Sequence, residues 1–105
     1  MMRNDAQAAR VAAALCDHLP RLRGLWRSDG PTIDPAKLGP CSSGERVVWE
    51  VAWSVWNNWR GKVRLPDLMR LDGDHLERIG ELLVAVGKGR AEAIDAWLEL
   101  HEPRS

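Results

Sequence analysis

Apolar residues recur along this chain at spacings of three and four residues, and the strict alternation of apolar and polar residues that is typical of strands is absent. The first apolar stripe comprises Val11, Leu15, Leu19, Leu22 and Trp26. Pro20 interrupts this stripe, and a proline removes a helical hydrogen bond and clashes with the preceding turn. We therefore predict an all-α fold in which the first helix is kinked, or divided into two short helices, near His18 to Pro20.

A segment rich in Trp and Val gives the clearest helical signal. Ser42 and Glu45 have the spacing of a capping box, and Gly61 is a natural helix terminator. Between them the apolar side chains cover an arc of about 240° on a helical wheel. Four valines also allow a buried strand, but the length and the two end signals favour a helix over residues 43–60. A helix this apolar has to be surrounded, so we predict that it is the central element.

The segment 28–41 separates these two patterns and has the character of a loop. Its Gly-Pro and Asp-Pro pairs are Gly30-Pro31, Asp34-Pro35 and Gly39-Pro40. Asp34 could cap a single helical turn within the loop. Loops of this length in small domains are often packed down by their own side chains, and Ile33 and Leu38 are the residues that could do this.

The rest of the chain predicts three more helical segments. A short helix spans 65–71, Asp72 caps a helix that ends at about Val86, and a last helix starts at about Arg90. Gly80 is a candidate for close packing between helices. The expected core residues are Leu76, Ile79, Leu82, Leu83 and Val86, followed by Ala93, Ile94, Trp97, Leu98 and Leu100. The sequence thus predicts a compact, single-domain bundle of four or five helices over 1–105, with flexible ends at 1–4 and 102–105.

Composition excludes several broad classes of protein. The apolar fraction of 45% is that of a globular domain, although all six aromatic residues are tryptophans. No apolar run approaches the roughly 18 residues of a membrane span, and the start of the chain lacks the pattern of a signal peptide. We expect a cytoplasmic protein that does not contact membranes. Arginine outnumbers lysine by 12 to 3, which is typical of a GC-rich bacterial or phage genome.

The signals of catalysis and of cofactor binding are absent from the sequence. It contains no Gly-rich phosphate loop, no nucleophile elbow and no His-Glu-x-x-His motif. Cys16, His18 and Cys41 lack the spacing of a zinc site, and Cys16 fits a small buried side chain. Asp72 and Asp74 are explained by helix capping. We expect no catalytic residue, no metal and no cofactor.

One segment resembles a nucleic-acid-binding unit in outline. Residues 65–83 predict a short helix, a tight turn and a longer helix, as in a helix-turn-helix. However, the second helix would begin with Asp72 and Asp74 and continue with Glu77 and Glu81, and carboxylates at these positions repel phosphates. A DNA-binding regulator is therefore the alternative hypothesis, and nucleic acid is the less favoured partner.

The tryptophans suggest a place for a protein partner. Trp56 and Trp59 lie well inside the apolar arc and are expected in the core. Trp53 lies at the margin of the arc, with Trp49 about 40° further in, and an amphipathic ring at the edge of a core is a common interface residue. We therefore assign candidate partner-binding roles to Trp49, Trp53 and Asn57.

The net charge of zero conceals an asymmetry along the chain. Residues 1–71 carry 11 basic and 7 acidic side chains, whereas residues 72–105 carry 4 basic and 8 acidic ones. The two segments either pair with each other within the fold or leave a basic face for an acidic partner. In the second case Arg60, Lys62 and Arg64 are the leading candidates, with Arg21, Arg23 and Arg27 also available.

Together these patterns predict a small interaction module without catalytic activity, such as an adaptor, a regulator or an inhibitor of bacterial, phage or mobile-element origin. It would bind a protein partner, an acidic one if the basic face is used, or a second copy of itself, through a surface that is basic or edged by tryptophan.

Overall fold

A computed structural model describes residues 5–27, 29–33, 38–57 and 64–102. This part of the chain is mostly helical and compact, with a radius of gyration of 12.5 Å, which confirms the all-α fold class. The elements, in chain order, are helix α1 (Asp5–Cys16), strands β1 (Trp26–Arg27) and β2 (Gly30–Pro31), and helices α2 (Ser43–Trp56), α3 (Leu65–Leu68), α4 (Gly73–Gly87) and α5 (Ala91–His101). Within these ranges no helix is both long and apolar enough to cross a membrane.

Helix α1 ends earlier than its apolar stripe suggests. The helix stops at Cys16, and successive tight turns follow, in which the Leu19 N–H donates to the Cys16 carbonyl and the Leu22 N–H donates to the Leu19 carbonyl. Pro20 lies inside these turns, where it cannot extend a helix. The predicted second helix near His18 to Pro20 is therefore wrong, although Leu22 is buried as expected of a residue in the stripe.

Trp26 belongs to a short antiparallel hairpin, which the helical spacing did not predict. Strand β1 pairs with β2 in a register that places Trp26 opposite Pro31 and Arg27 opposite Gly30. The predicted loop 28–41 is present around this hairpin. Leu38 is buried and Ile33 packs against the core, so both hold the loop down as predicted. The turn predicted at Asp34 lies outside the described residues.

Helix α2 forms as the capping box and the apolar arc predict. The Ser42 hydroxyl accepts from the Glu45 N–H, and the Glu45 carboxylate accepts from the Ser42 N–H. The alternative of a buried strand is wrong. The helix runs to Trp56, where Asn57 caps it, and the predicted extension through Trp59 to Gly61 lies outside the described residues. Its buried residues are Val47, Val48, Trp49, Val51, Ala52, Ser54 and Val55.

Helices α3, α4 and α5 lie close to their predicted bounds. Helix α3 is shorter than expected, whereas α4 begins at the predicted cap, where the Asp72 carboxylate accepts from the His75 N–H at 3.0 Å. The core face of α4 is rotated relative to the prediction. Leu82 and Ala85 are buried with Ile79, but Leu83 is 48% exposed.

Two further expectations for α4 and α5 fail. A Cβ atom added at Gly80 would meet nothing within 4 Å, so this glycine does not mediate close helix packing. Leu100, which was expected at the core face of α5, is exposed instead. Ile94, Trp97 and Leu98 are buried as predicted.

The elements pack in the order α2, α1, α5 and α4. Helix α1 contacts α2, both strands and α5, and α4 packs against α5. Helix α2 lies deep in the core, but α1 is the element with neighbours on the most sides. The central position in the bundle that was predicted for α2 is thus shared by α2 and α1.

Gly30 is fixed in place by its backbone and by the ring of Trp56. Its φ angle is +133°, and a Cβ atom there would lie 2.8 Å from Cζ2 of Trp56. We predict that Gly30→Ala destabilises the fold by about 2–4 kcal/mol, because it combines backbone strain with a steric clash. Gly24→Ala is the matched control, since φ is +79° there but nothing lies within 4 Å of the added methyl group.

The control variant should lose only about 1–2 kcal/mol. Chemical denaturation of both variants measures this difference. Equal losses would show that the Trp56 ring does not restrict position 30.

Candidate functional site

Helices α4 and α5 leave a groove of about 570 Å³ between them at the surface. Ala85 and Trp97 form its buried floor. The residues that line it are mostly apolar or small, and they recur at the one-turn spacing of a helix face: Glu77, Gly80, Glu81, Val84, Ala85 and Lys88 on α4, and Ala93, Ala96, Trp97 and Leu100 on α5. The groove is therefore a shallow apolar channel between two helices.

Two large apolar side chains stand exposed on this groove. Val84 is 63% exposed on α4, and Leu100 is 76% exposed on α5. Single exposed apolar residues are ordinary, but a contiguous apolar surface is typical of a binding site. Here both side chains adjoin the same channel of alanine and glycine.

The floor of the groove is held in one conformation by hydrogen bonds between its two helices. The Trp97 indole N–H donates to the Arg78 carbonyl at 3.0 Å. The His101 ring nitrogen Nε2 lies 2.8 Å from a Glu81 carboxylate oxygen, and the His101 ring packs on Trp97 with centroids 4.9 Å apart. These contacts fix the spacing of α4 and α5 and thereby the shape of the groove.

The opposite side of α5 is anchored to α1. The Gln7 side-chain amide donates to the Asp95 carboxylate at 3.0 Å, and the Arg10 guanidinium pairs with Glu102 at 2.6 Å. The His18 ring donates from Nε2 to the His101 carbonyl at 2.7 Å. Helix α5 is thus pinned to the core on one side and lines the groove on the other.

The tryptophans predicted for a partner surface are mainly structural. Trp49 has no exposed surface, so its predicted partner-binding role is wrong: its ring lies in the core, 5.4 Å from the Trp26 ring. Trp53 and Trp56 are half-buried, with their rings 6.4 Å and 6.1 Å from Trp26. These two rings therefore cover Trp26 from outside, and each keeps some exposed surface.

The other predicted partner-binding residues do not join Trp53 in a described cluster. Asn57 is exposed at the end of α2, and Arg64 is exposed before α3 with its guanidinium 3.9 Å from Asp67. Arg60 and Lys62 lie outside the described residues. In the described ranges Trp53 and Asn57 are joined by the backbone hydrogen bond that ends α2, from the Asn57 N–H to the Trp53 carbonyl, and no side-chain hydrogen bond or ion pair links Trp53, Asn57 and Arg64.

The two oppositely charged segments are connected at one end of the bundle. Among the described residues, Arg10–Glu102 is the ion pair that joins them. Arg21 and Arg23 instead donate to the carbonyls of Pro40 and Asp17, within their own segment. The segments therefore attract each other locally, and most of their charged side chains remain at the surface.

The groups that could carry chemistry have structural roles here. His75 Nδ1 lies 2.7 Å from the Asp72 carboxylate beside a small cavity of about 100 Å³, in the arrangement of an N-terminal cap. Burial raises the pKa of the Cys16 thiol, which contact with Trp26 only partly offsets. Within the described residues, no three His, Cys, Asp or Glu side chains are grouped to hold a metal ion.

The groove escaped prediction for identifiable reasons. Val84 shares its helix face with Glu77, Glu81 and Lys88, and an apolar residue on such a charged face is the signal that could have been used. Leu100 was assigned to the core because it follows Trp97 at helical spacing. Spacing places a residue on a face but does not show whether another helix covers that face.

No protein-family model matches the chain, and comparisons with curated proteins and with solved structures gave no match. Function therefore has to be inferred from the surface of the chain itself.

His18 makes the anchoring of α5 dependent on pH. Burial lowers the pKa of His18, and electrostatic interactions with Arg78, His101 and His75 act in the same direction, against the hydrogen bond to the His101 carbonyl. The unfolded chain therefore binds a proton at higher pH than the folded one. We predict that the free energy of unfolding falls as pH drops below about 6.5, and that His18→Asn makes this dependence less steep.

Urea denaturation of both proteins between pH 7.5 and 5 measures the two slopes. This range avoids the carboxylates of Asp72 and Glu45, whose hydrogen bonds hold their pKa values low, so that they lose stabilisation only at more acidic pH. An unchanged slope in the His18→Asn variant would contradict the prediction.

Proposed function

We propose that this protein is a small, non-catalytic interaction module that binds a helix of a partner protein in the groove between α4 and α5. The observation that carries the proposal is the exposure of Val84 and Leu100 beside a preformed channel of small apolar residues. Burying these side chains against a partner removes apolar surface from water, which is the main driving force of most protein association.

The dimensions of the groove favour a helix as its occupant. Its lining runs along α4 from Glu77 to Lys88, which at 1.5 Å per residue corresponds to about 16 Å, or three turns of a partner helix. A helix that carries apolar residues at positions i, i+3 or i+4, and i+7 fits such a channel. The hydrogen bonds of Trp97 and His101 reduce the ordering cost of binding, because the floor does not have to rearrange.

The functional class is the one expected from the sequence, but the proposed binding surface is the groove between α4 and α5 and not the surface at Trp53, Asn57 and Arg64. An adaptor, regulator or inhibitor of bacterial or phage origin remains the expected kind of protein. The surface at Trp53, Asn57 and Arg64 has less support, because Trp53 is half-buried and no described side-chain hydrogen bond or ion pair joins the three residues. DNA binding through residues 65–83 is also less favoured, because Asp72 and Asp74 are exposed at the start of α4.

We predict that replacing Val84 and Leu100 weakens binding without harming the fold. The probe is a synthetic amphipathic peptide of four turns, with leucines at the spacing above and glutamine elsewhere. It should shift the NMR signals of α4 and α5, including the Trp97 indole N–H. Val84→Ser with Leu100→Ser should weaken binding about tenfold or more, because two apolar side chains no longer become buried.

Met69→Ser is the matched control, since Met69 is 73% exposed but lies outside the groove. All these variants should keep their stability within about 0.5 kcal/mol of the original protein, because each altered side chain is exposed. The proposal fails if the peptide causes no shift, if the shifts map to Trp53, Asn57 and Arg64, or if Met69→Ser weakens binding as much as the double variant.

A further inference from the structure

The groove between α4 and α5 is bordered mainly by carboxylates. Glu77 and Glu81 line it on α4. On α5, Glu92 and Glu99 are exposed and lie one helical turn to either side of Ala96, which lines the groove. Lys88 is the cation that lines the groove, near the connection between the two helices.

The acidic side chains are concentrated at the end of the groove away from that connection. His101 bonds to Glu81, so the last turn of α5, which carries Glu99, lies beside the part of α4 that carries Glu77 and Glu81. Glu77 and Glu99 make no hydrogen bond or ion pair in the described part of the chain. No ion pair within residues 5–27, 29–33, 38–57 and 64–102 therefore compensates their negative charges.

Resting on the proposed function, we propose that the partner helix is basic as well as amphipathic, and that its lysine or arginine residues lie over the end of the groove formed by Glu77, Glu81 and Glu99. The apolar face of the partner fills the channel between Val84 and Leu100. Cations on the flanks of that face reach the carboxylates at the rim. Complementary charge at a rim of this kind sets orientation and speeds association.

The same charges argue against a second copy of this chain as the occupant. Two copies that met through this groove by two-fold symmetry would bring both sets of border carboxylates into one interface with only two Lys88 side chains to offset them, because such an interface uses the same patch twice. Like charges that are placed opposite each other weaken association and exclude the wrong partner. A basic helix satisfies both the apolar floor and the acidic rim.

The experiment compares three peptides with the same leucine positions, whose flanking residues are lysine, glutamine or glutamate. We expect the lysine peptide to bind about tenfold tighter than the glutamate peptide at low salt, with the glutamine peptide between them. The difference in affinity between the lysine and glutamate peptides should shrink at 1 M salt, because dissolved ions then screen interactions between charges that are more than about 3 Å apart. Isothermal titration calorimetry at both salt concentrations measures the dissociation constants.

Matched variants locate the effect on the protein. Glu77→Gln with Glu99→Gln should reduce the preference for the lysine peptide several-fold and leave binding of the glutamine peptide unchanged. Asp29→Asn with Glu50→Gln removes the same number of charges from residues outside α4 and α5, and should keep the full preference.

The outcomes separate this inference from the proposed function. If all three peptides bind equally at low salt, the basic partner is overturned while helix binding stands. If the Asp29 and Glu50 variant loses the preference as strongly as the groove variant, the assignment to the groove rim is overturned. A third outcome is that none of the peptides binds and that sedimentation shows a dimer, which the double variant Val84→Ser with Leu100→Ser dissociates. The occupant of the groove would then be a second copy of the chain, and both proposals would be overturned.

Discussion

Helix α1 can contact neighbours on several sides because the side chains it buries are small. Ala8, Ala12 and Ala14 are buried on it together with Val11 and Leu15. Alanine loses no side-chain entropy on burial and lets neighbouring backbones approach closely. With α2 on one side, the hairpin beside its end and α5 on another side, α1 determines where these three elements can lie.

The position of α4 follows from that arrangement and explains the groove. Helix α4 packs against α5, while the main contacts of α1 are with the other elements. Its buried face is therefore narrow, formed by Ile79, Leu82 and Ala85, and the next face along remains open to solvent. Helices α4 and α5 form a layer that α1 covers on one side only. The apolar channel between α4 and α5 is therefore exposed on the other side.

Local signals in the sequence predicted the helices well because capping depends on residues that lie three positions apart. The Ser42–Glu45 box and the Asp72 cap formed as expected. The predictions that failed concern features that depend on tertiary packing. Trp26 has helical spacing from Leu22, yet the turns around Pro20 and the partner strand at Pro31 place it in a hairpin.

The exposure of individual side chains was harder to predict than the fold for a related reason. Trp49 lies only a short arc from Trp53 on a helical wheel, but one ring is enclosed and the other is half-exposed. The difference depends on where Trp26 packs, which is set by contacts remote in sequence. Leu82 and Leu83 are adjacent in the chain, and a modest rotation of α4 decides which of them is buried.

The contacts that hold α5 join distant parts of the chain. Arg10 and Glu102 are separated by 92 positions, whereas Trp97 and Arg78, which fix the floor of the groove, are separated by 19. The shape of the groove thus depends on two helices that are close in sequence. Holding α5 in place depends in addition on contacts between the two ends of the chain, and bringing these ends together costs entropy. By linkage, a ligand that fills the groove also stabilises this closure. Under the proposed function, occupancy of the groove and completion of folding are therefore thermodynamically coupled, and a partially unfolded chain would compete poorly for the partner helix.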